Sequence, residues 1–238
     1  MLKTCEIHGV YEAETFFICG RTFEMGCPEC DRLGSLAEKI KAEKAKEKAR
    51  CFLLIRRGIE PEYQGRHLGD YIAETESEKK ALQSAWDPKN GVIKKLVLVG
   101  RNGTGKTMLG SILAQECGGI IITMFALSAR IRAGYSEGLS EYAVLMELLE
   151  YDFICIDELG RTKGSEAERN WLSFLIDKCH VRGKKLMILS NRLMAKDLSP
   201  DRKGEALETF FDNDIVSRLR DARIIKIDGR DRRTVTTV

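Results

Sequence analysis

The sequence predicts an α/β fold on a central parallel sheet, preceded by a small amino-terminal module cross-linked by metal. Three observations carry that prediction. Short apolar strands alternate with amphipathic helices from about Leu68 onward, a glycine-rich loop opens one of those helices, and cysteine and histidine pairs crowd the first 30 residues. Near-continuous apolar strands alternating with helices argue for a parallel sheet covered on both faces.

The strand segments are Lys95–Val99, Ile120–Phe125, Phe153–Asp157, Lys185–Ser190 and Ile224–Ile227, each a short aliphatic or β-branched run. Helices are expected at about Lys106–Glu116, Leu127–Ala133, Ser140–Leu149, Ala167–His180 and Asp214–Asp221. The chain has 238 residues, 43% hydrophobic and 32% charged, with a net charge of +3. That composition excludes disordered, collagenous and membrane-spanning classes and favours one substantial core plus a small accessory module. The start lacks an apolar signal region and no apolar run approaches 18 residues, so a soluble, cytoplasmic protein without membrane contact is expected.

At the amino terminus, Cys5-x₂-His8 and Cys27-x₂-Cys30 form two ligand pairs, the spacing of a zinc ribbon. A four-ligand site leaves no open position for water, so this zinc would be structural. Cys19 could replace one ligand or remain a spare thiol. From Arg32 to Arg57 nine Lys or Arg face three Glu, which predicts a basic helix of net charge +6 that binds either protein or DNA phosphates. Gly58-Ile59-Glu60-Pro61 ends it. The expected organisation is a zinc-ribbon module at 1–31, a basic helix and linker at 32–57, and a catalytic domain at 58–238.

Gly100-Arg101-Asn102-Gly103-Thr104-Gly105-Lys106-Thr107 is a complete G-x-x-x-x-G-K-[ST] between a strand and a helix, with Met108 following in that helix. Its backbone N–H groups and the helix N-terminus suit phosphates, Lys106 reaches the β- and γ-phosphates, and Thr107 can ligate Mg²⁺. A nucleoside triphosphate is implied. Phe153-Ile154-Cys155-Ile156-Asp157-Glu158 is an apolar strand ending in two acids, where Asp157 suits Mg²⁺ and Glu158 suits the base for the attacking water. Asn191, after the strand 186–190, can hold water or γ-phosphate, and equally suits a helix N-cap or turn. In the basic carboxy-terminal segment, Arg218 and Arg233 are candidates to neutralise γ-phosphate charge.

Together Gly100–Thr107, Asp157-Glu158, Ser190-Asn191, Ser217-Arg218-Leu219 and Gly229–Arg233 resemble the AAA+ ATPase of bacterial and phage DnaC/DnaI-type helicase loaders and the related IstB transposition helpers. Residues 58–71 also resemble the lead-in to that domain, so the resemblance spans roughly 58–233. It implies an AAA+ P-loop fold, Asn191 as sensor 1, Arg218 as an arginine finger acting on a neighbouring subunit, and Arg233 as the sensor 2 arginine. Ser217 stands where that family usually has Asp, and Gly229-Arg230-Asp231-Arg232-Arg233 replaces a Gly-x-Ser-Tyr-Arg-like ending.

The resemblance further implies an ATP-dependent oligomer that binds a hexameric replicative helicase and helps deposit it on single-stranded DNA, with ATP and Mg²⁺ as cofactors. Segment 125–135 matches the region that meets single-stranded DNA in that family, with Arg130 and Arg132 for phosphates beside Phe125 and Tyr135 for stacking. Two other readings are a transposition helper acting on duplex DNA and a DNA-binding adaptor whose ATP binding is incidental.

Overall fold

The computed structural model describes residues 1–87, 91–161, 165–211 and 213–232. It divides into two units, Met1–Leu53 and Leu54–Val238. In the first unit, β1 (Leu2–Cys5) and β2 (Gly9–Glu12) form one antiparallel hairpin, and β3 (Thr15–Ile18) and β4 (Arg21–Glu24) form another. Helix α1 (Pro28–Arg56) starts inside the expected zinc module and runs on for 29 residues, so module and basic helix are not separate segments. Among residues 1–53 only Ala13 and Cys27 are buried. A segment with so little buried apolar surface lacks the hydrophobic stabilisation that holds a domain together.

The second unit begins at Leu54. It comprises α2 (Glu76–Ala85), the two-residue strands β5 (Trp86–Asp87) and β6 (Gly91–Val92), β7 (Lys95–Gly100), α3 (Lys106–Glu116) and β8 (Ile120–Thr123). After these come α4 (Met124–Ser136), α5 (Glu141–Leu148), β9 (Phe153–Leu159), α6 (Glu166–Val181), β10 (Lys185–Ser190), α7 (Asn213–Arg218) and β11 (Arg223–Ile227). Strands β11-β7-β10-β9-β8 lie in that order in one five-stranded sheet, with every pairing parallel.

Strand alternation divides the core between two faces. Val97 and Val99 of β7 join Ile154, Ile156 and Ile188 on the side covered by α4, α5 and α6. Leu96 and Leu98 join Cys155, Met187 and Leu189 on the side covered by α2 and α3. The expected parallel sheet with both faces buried is therefore observed, although α2 was absent from the sequence reading. Its start carries a capping box: Glu78 N–H donates to Thr75 Oγ1 at 3.2 Å, and Thr75 N–H donates to Glu78 Oε2 at 2.9 Å.

Two element boundaries differ from expectation. The strand expected over 120–125 stops at Thr123, because the Thr123 hydroxyl accepts the Ala126 N–H at 3.0 Å and starts α4 at Met124. The last helix ends at Arg218, shorter than expected. Lys95 Nζ, buried at the start of β7, donates to Arg218 O and Asp221 Oδ1, both at 2.7 Å, and lies 2.6 Å from His180 Nδ1. The ammonium thus caps α7 while its charge is matched by a carboxylate.

Just after α1, Arg57 O accepts the Ile121 N–H at 3.0 Å, so the chain runs against the outer edge of β8. The Arg57 guanidinium donates to Gly119 O at 2.5 Å and also to Ala114 O. Gly58 follows at φ +76, and a Cβ there would stand 1.9 Å from Ile121 O. Only glycine allows both that dihedral and that approach. Gly58→Ala is expected to cost about 2 kcal/mol and lower the melting temperature by roughly 4–8 °C. A thermal melt unchanged by the substitution would contradict this packing.

Candidate functional site

The carboxy ends of β7, β9 and β10 open into a cleft of about 600 Å³. The loop Gly100–Thr107 forms its floor, with Gly105 at φ +84 as the residue before α3. This puts the first N–H groups of α3, which have no helical acceptor, at the cleft. Lys106 is buried, and its Nζ donates to Gly100 O at 2.9 Å and to Arg101 O at 2.7 Å. Asn102, Gly103, Thr104, Thr107 and Met108 also line the cleft.

Asp157 and Glu158 raise a geometrical problem, since adjacent strand residues point to opposite faces. The structure resolves it with a bulge. Pairing of β9 with β10 shifts between Ile188 and Ser190, so that Ile156 and Leu159 of β9 match those two residues, and Glu158 takes φ +54. A bulge with a left-handed residue re-aims its side chains, and here both acids reach one cleft. Ser190 Oγ donates to Leu159 O at 2.6 Å, tying the end of β10 to this turn and setting Asn191 on the cleft wall. Asn191 caps no helix.

Asp157 is buried and accepts the Thr107 hydroxyl at 2.8 Å and the Glu158 N–H at 2.6 Å. Burial nevertheless pushes its carboxyl above the ordinary aspartate value. A desolvated carboxylate that hydrogen bonds only partly compensate is a natural partner for a cation, and the adjacent Thr107 hydroxyl offers a second oxygen ligand, so the pair fits Mg²⁺. Glu158 instead forms an ion pair with Arg161 Nη1 at 2.8 and 2.7 Å.

Four cleft residues, Glu62, Tyr63, Arg161 and Arg232, were not assigned by sequence reasoning. Tyr63 reaches the cleft from a 3₁₀ turn at Pro61–Tyr63, whose carbonyl accepts Gln115 Nε2 at 2.8 Å. Arg233 lies outside the described residues, and its neighbour Arg232 lines the cleft. The Arg232 backbone N–H donates to Gly103 O at 3.0 Å, and its guanidinium lies 4.9 Å from the Tyr71 ring centroid. Nη2 pairs at 2.8 Å with Glu78, which is 1% exposed. One signal in the sequence could have found this pair: the box Thr75-x-x-Glu78 places an acid where a basic tail returns.

Burial by itself would raise the Glu78 carboxyl, but hydrogen bonds from Arg232 and from the Thr75 and Glu74 N–H groups outweigh it and hold the group below the ordinary glutamate value. Its stabilising contribution is therefore complete above the ordinary glutamate range and is lost as pH falls through the lower folded-state value.

Arg218 lies away from the cleft, paired with Asp177 of α6 at 2.8 Å. In the amino-terminal unit, Cys5 and His8 flank the turn between β1 and β2, Cys27 precedes α1 and Cys30 lies in its first turn. The four ligand atoms fall within 4.8 Å of one another. His8 Nδ1 is 3.7, 3.6 and 3.3 Å from the sulfurs of Cys5, Cys27 and Cys30, and Cys5 is 3.5 Å from Cys30. A tetrahedron built on Zn–S and Zn–N bonds has edges of about 3.5–3.8 Å, so the set fits zinc. Cys19 is exposed at φ 49 and stands outside this set.

The phosphate loop, the bulged acidic strand and the parallel sheet define a P-loop nucleoside triphosphatase. Residues 96–195 match the ATPase family associated with various cellular activities (AAA). The chain is 22% identical over 202 residues to YdaV, an uncharacterised protein of Escherichia coli (strain K12), spanning 82% of this chain and 74% of YdaV. It is 26% identical over 148 residues to the replicative helicase loader DnaC of the same organism, spanning 58% of this chain and 60% of DnaC.

Among solved structures, the DnaC helicase loader aligns over 71% of this chain and 100% of its own with a TM-score of 0.59 at 22% identity. DnaI aligns over 71% of this chain and 94% of its own at 0.52 and 20% identity. These likenesses establish the AAA+ fold. No described helix is long and apolar enough to cross a membrane.

Removing the buried carboxylate tests whether the Glu78–Arg232 pair organises the cleft. Glu78→Gln should cost about 3 kcal/mol and lower the melting temperature by roughly 6–12 °C. Nucleotide affinity should fall with it. A variant with full stability and full affinity would show that the pair holds neither the tail nor the cleft.

Proposed function

We propose that this chain is an ATP-switched loader for a hexameric replicative helicase, acting during replication initiation to place that ring on single-stranded DNA. The observation that carries the reading is the bulged strand end, which delivers Asp157 and Glu158 to one cleft beside Lys106 in a domain similar to DnaC. In this reading the loop amides and Lys106 hold the β- and γ-phosphates, while Thr107 and Asp157 hold Mg²⁺. The metal, when bound, offsets phosphate charge. Glu158 accepts the proton of the attacking water, Asn191 orients that water, and Arg232 or Arg233 meets the γ-phosphate from the tail.

Arg218, outside its own cleft, serves as the finger in a neighbouring subunit, so assembly and hydrolysis are coupled. Lys95 caps the helix that carries it. A soluble, cytoplasmic setting accords with this reading.

The amino-terminal unit is the helicase-binding element in this reading. Its β3–β4 hairpin is exposed throughout and displays Phe16, Phe17, Ile18 and Phe23, an apolar surface suited to a protein partner. Zinc held by Cys5, His8, Cys27 and Cys30 takes the place of the missing core.

Two outcomes are expected. Glu158→Gln should slow hydrolysis about 10²–10⁴-fold and accumulate as an ATP-bound complex with a co-purifying replicative helicase. Size exclusion with ATP and with ADP reads this, and filaments on duplex DNA without any helicase complex would point to a transposition helper instead. Chelation should release about one zinc per chain and unfold residues 1–53, because metal binding there is folding free energy, while ATP binding by the second unit persists. Absence of zinc from the purified protein, by elemental analysis, would remove the structural-metal assignment.

A further inference from the structure

The residue after Asn191 ties together two stretches of chain that the sheet leaves apart. Arg192 is partly buried, and its Nε donates to Gly160 O at 2.5 Å while Nη1 donates to Glu205 O at 3.2 Å. Gly160 belongs to the turn that carries Glu158, closed by the Arg161 N–H on Glu158 O at 3.2 Å. A Cβ at Gly160, which has φ +84, would stand 2.6 Å from Arg192 Cδ, so the arginine stem lies directly against the bare backbone of that turn. Glu205 ends a 3₁₀ turn at Pro200–Glu205, and two residues later the Leu207 N–H returns to Leu193 O at 2.9 Å. The Arg192 backbone N–H donates to Ser190 Oγ at 3.0 Å, and that hydroxyl donates to Leu159 O. Two successive carbonyls of the β9 turn, those of Leu159 and Gly160, are thus held by the residues on either side of Asn191.

We propose that Arg192 is a positioning residue for hydrolysis: it fixes the turn bearing Glu158 against the strand end bearing Asn191, and so sets the distance between the base and the group that orients the attacking water. The proposal rests on the reading that these two residues handle that water. Arg192 does not itself line the cleft, so it acts through the backbone of the turn. That turn needs an external hold. Glu158 sits at φ +54, a conformation that a residue other than glycine keeps only when its surroundings impose it. Its ion pair with Arg161 supplies little, because the two side chains are 37% and 70% accessible and such pairs are weak. The contacts from Ser190 and Arg192 to the two carbonyls that follow supply the hold instead. A guanidinium suits the task because its planar fork presents donors in fixed directions, so one side chain reaches carbonyls of two segments, whereas an ammonium is a single point of charge. Glu205 O is the far anchor, which keeps the guanidinium from swinging away from Gly160.

The test measures steady-state Mg-ATP turnover by the full chain, with binding of a fluorescent ATP analogue as a separate readout. Arg192→Ala should lower kcat roughly 10–10²-fold, the effect of misplacing a reacting group by about 1 Å, and should leave analogue affinity unchanged because the phosphate loop is untouched. Arg192→Lys, which keeps the charge and most of the stem, should recover only part of the loss. A cycle with Glu158→Gln separates positioning from a general loosening of the fold: once the base is gone, Arg192→Ala should lower turnover little further. Wild-type kcat in Arg192→Ala overturns the proposal, and so does the same fold-loss in the Glu158→Gln background as in the wild type. If Arg192→Ala does not fold, Arg192→Lys carries the same cycle with the same two overturning results. A Glu158→Gln chain that turns over ATP like the wild type overturns instead the reading of Glu158 as the base, and the proposal with it.

Discussion

The hydrogen bond from the Thr107 hydroxyl to Asp157 joins the first turn of α3 to the end of β9, and with it the two halves of the cleft. It fixes the spacing between the glycine-rich loop and the acidic end of β9. Hydrogen bonds from Thr107 and Glu158 offset part of the cost of burying Asp157, and burial still holds its carboxyl above the ordinary aspartate value. Neighbouring features serve that arrangement. Ser190 holds the β10 end against the β9 turn, the bulge sends Glu158 to the same side as Asp157, and Arg232 brings the carboxy-terminal segment over Gly103.

Much of this was legible in the sequence because it rests on local pattern. The G-x-x-x-x-G-K-T string has one structural use, and the apolar runs around Leu96, Ile154 and Ile188 are long and regular enough to read as buried strands. The bulge at Asp157-Glu158 was not legible, since it depends on which residues of β10 lie opposite. The role of Arg232 was missed for a related reason. Arg232 is drawn to the cleft by a buried carboxylate on α2, and α2 is a polar, weakly patterned helix whose clearest mark is its capping box. Element ends moved by a few residues where a single hydroxyl, that of Thr123, decided between strand and helix.

The two units show opposite solutions to holding a chain together. Leu54–Val238 buries two apolar layers against its sheet, whereas Met1–Leu53 buries Ala13 and Cys27 and gathers four ligand atoms instead. Between Asp31 and Arg50 every residue of α1 is exposed, and pairs such as Glu29 with Arg32 and Glu47 with Arg50 lie along its surface. Exposed pairs of this kind contribute little to stability, so charge along this helix governs solubility and partner choice more than stability.

The approach of Arg57 and Gly58 to β8 has a consequence for how copies of this chain can meet. An uncovered outer strand invites another chain to add to the sheet through its backbone, a route to domain swapping and fibrillar aggregation. Here Arg57 O already takes the Ile121 N–H, and the close passage of Gly58 leaves no room beside Ile121 for a foreign strand. Pairing of another backbone along this edge is thereby discouraged.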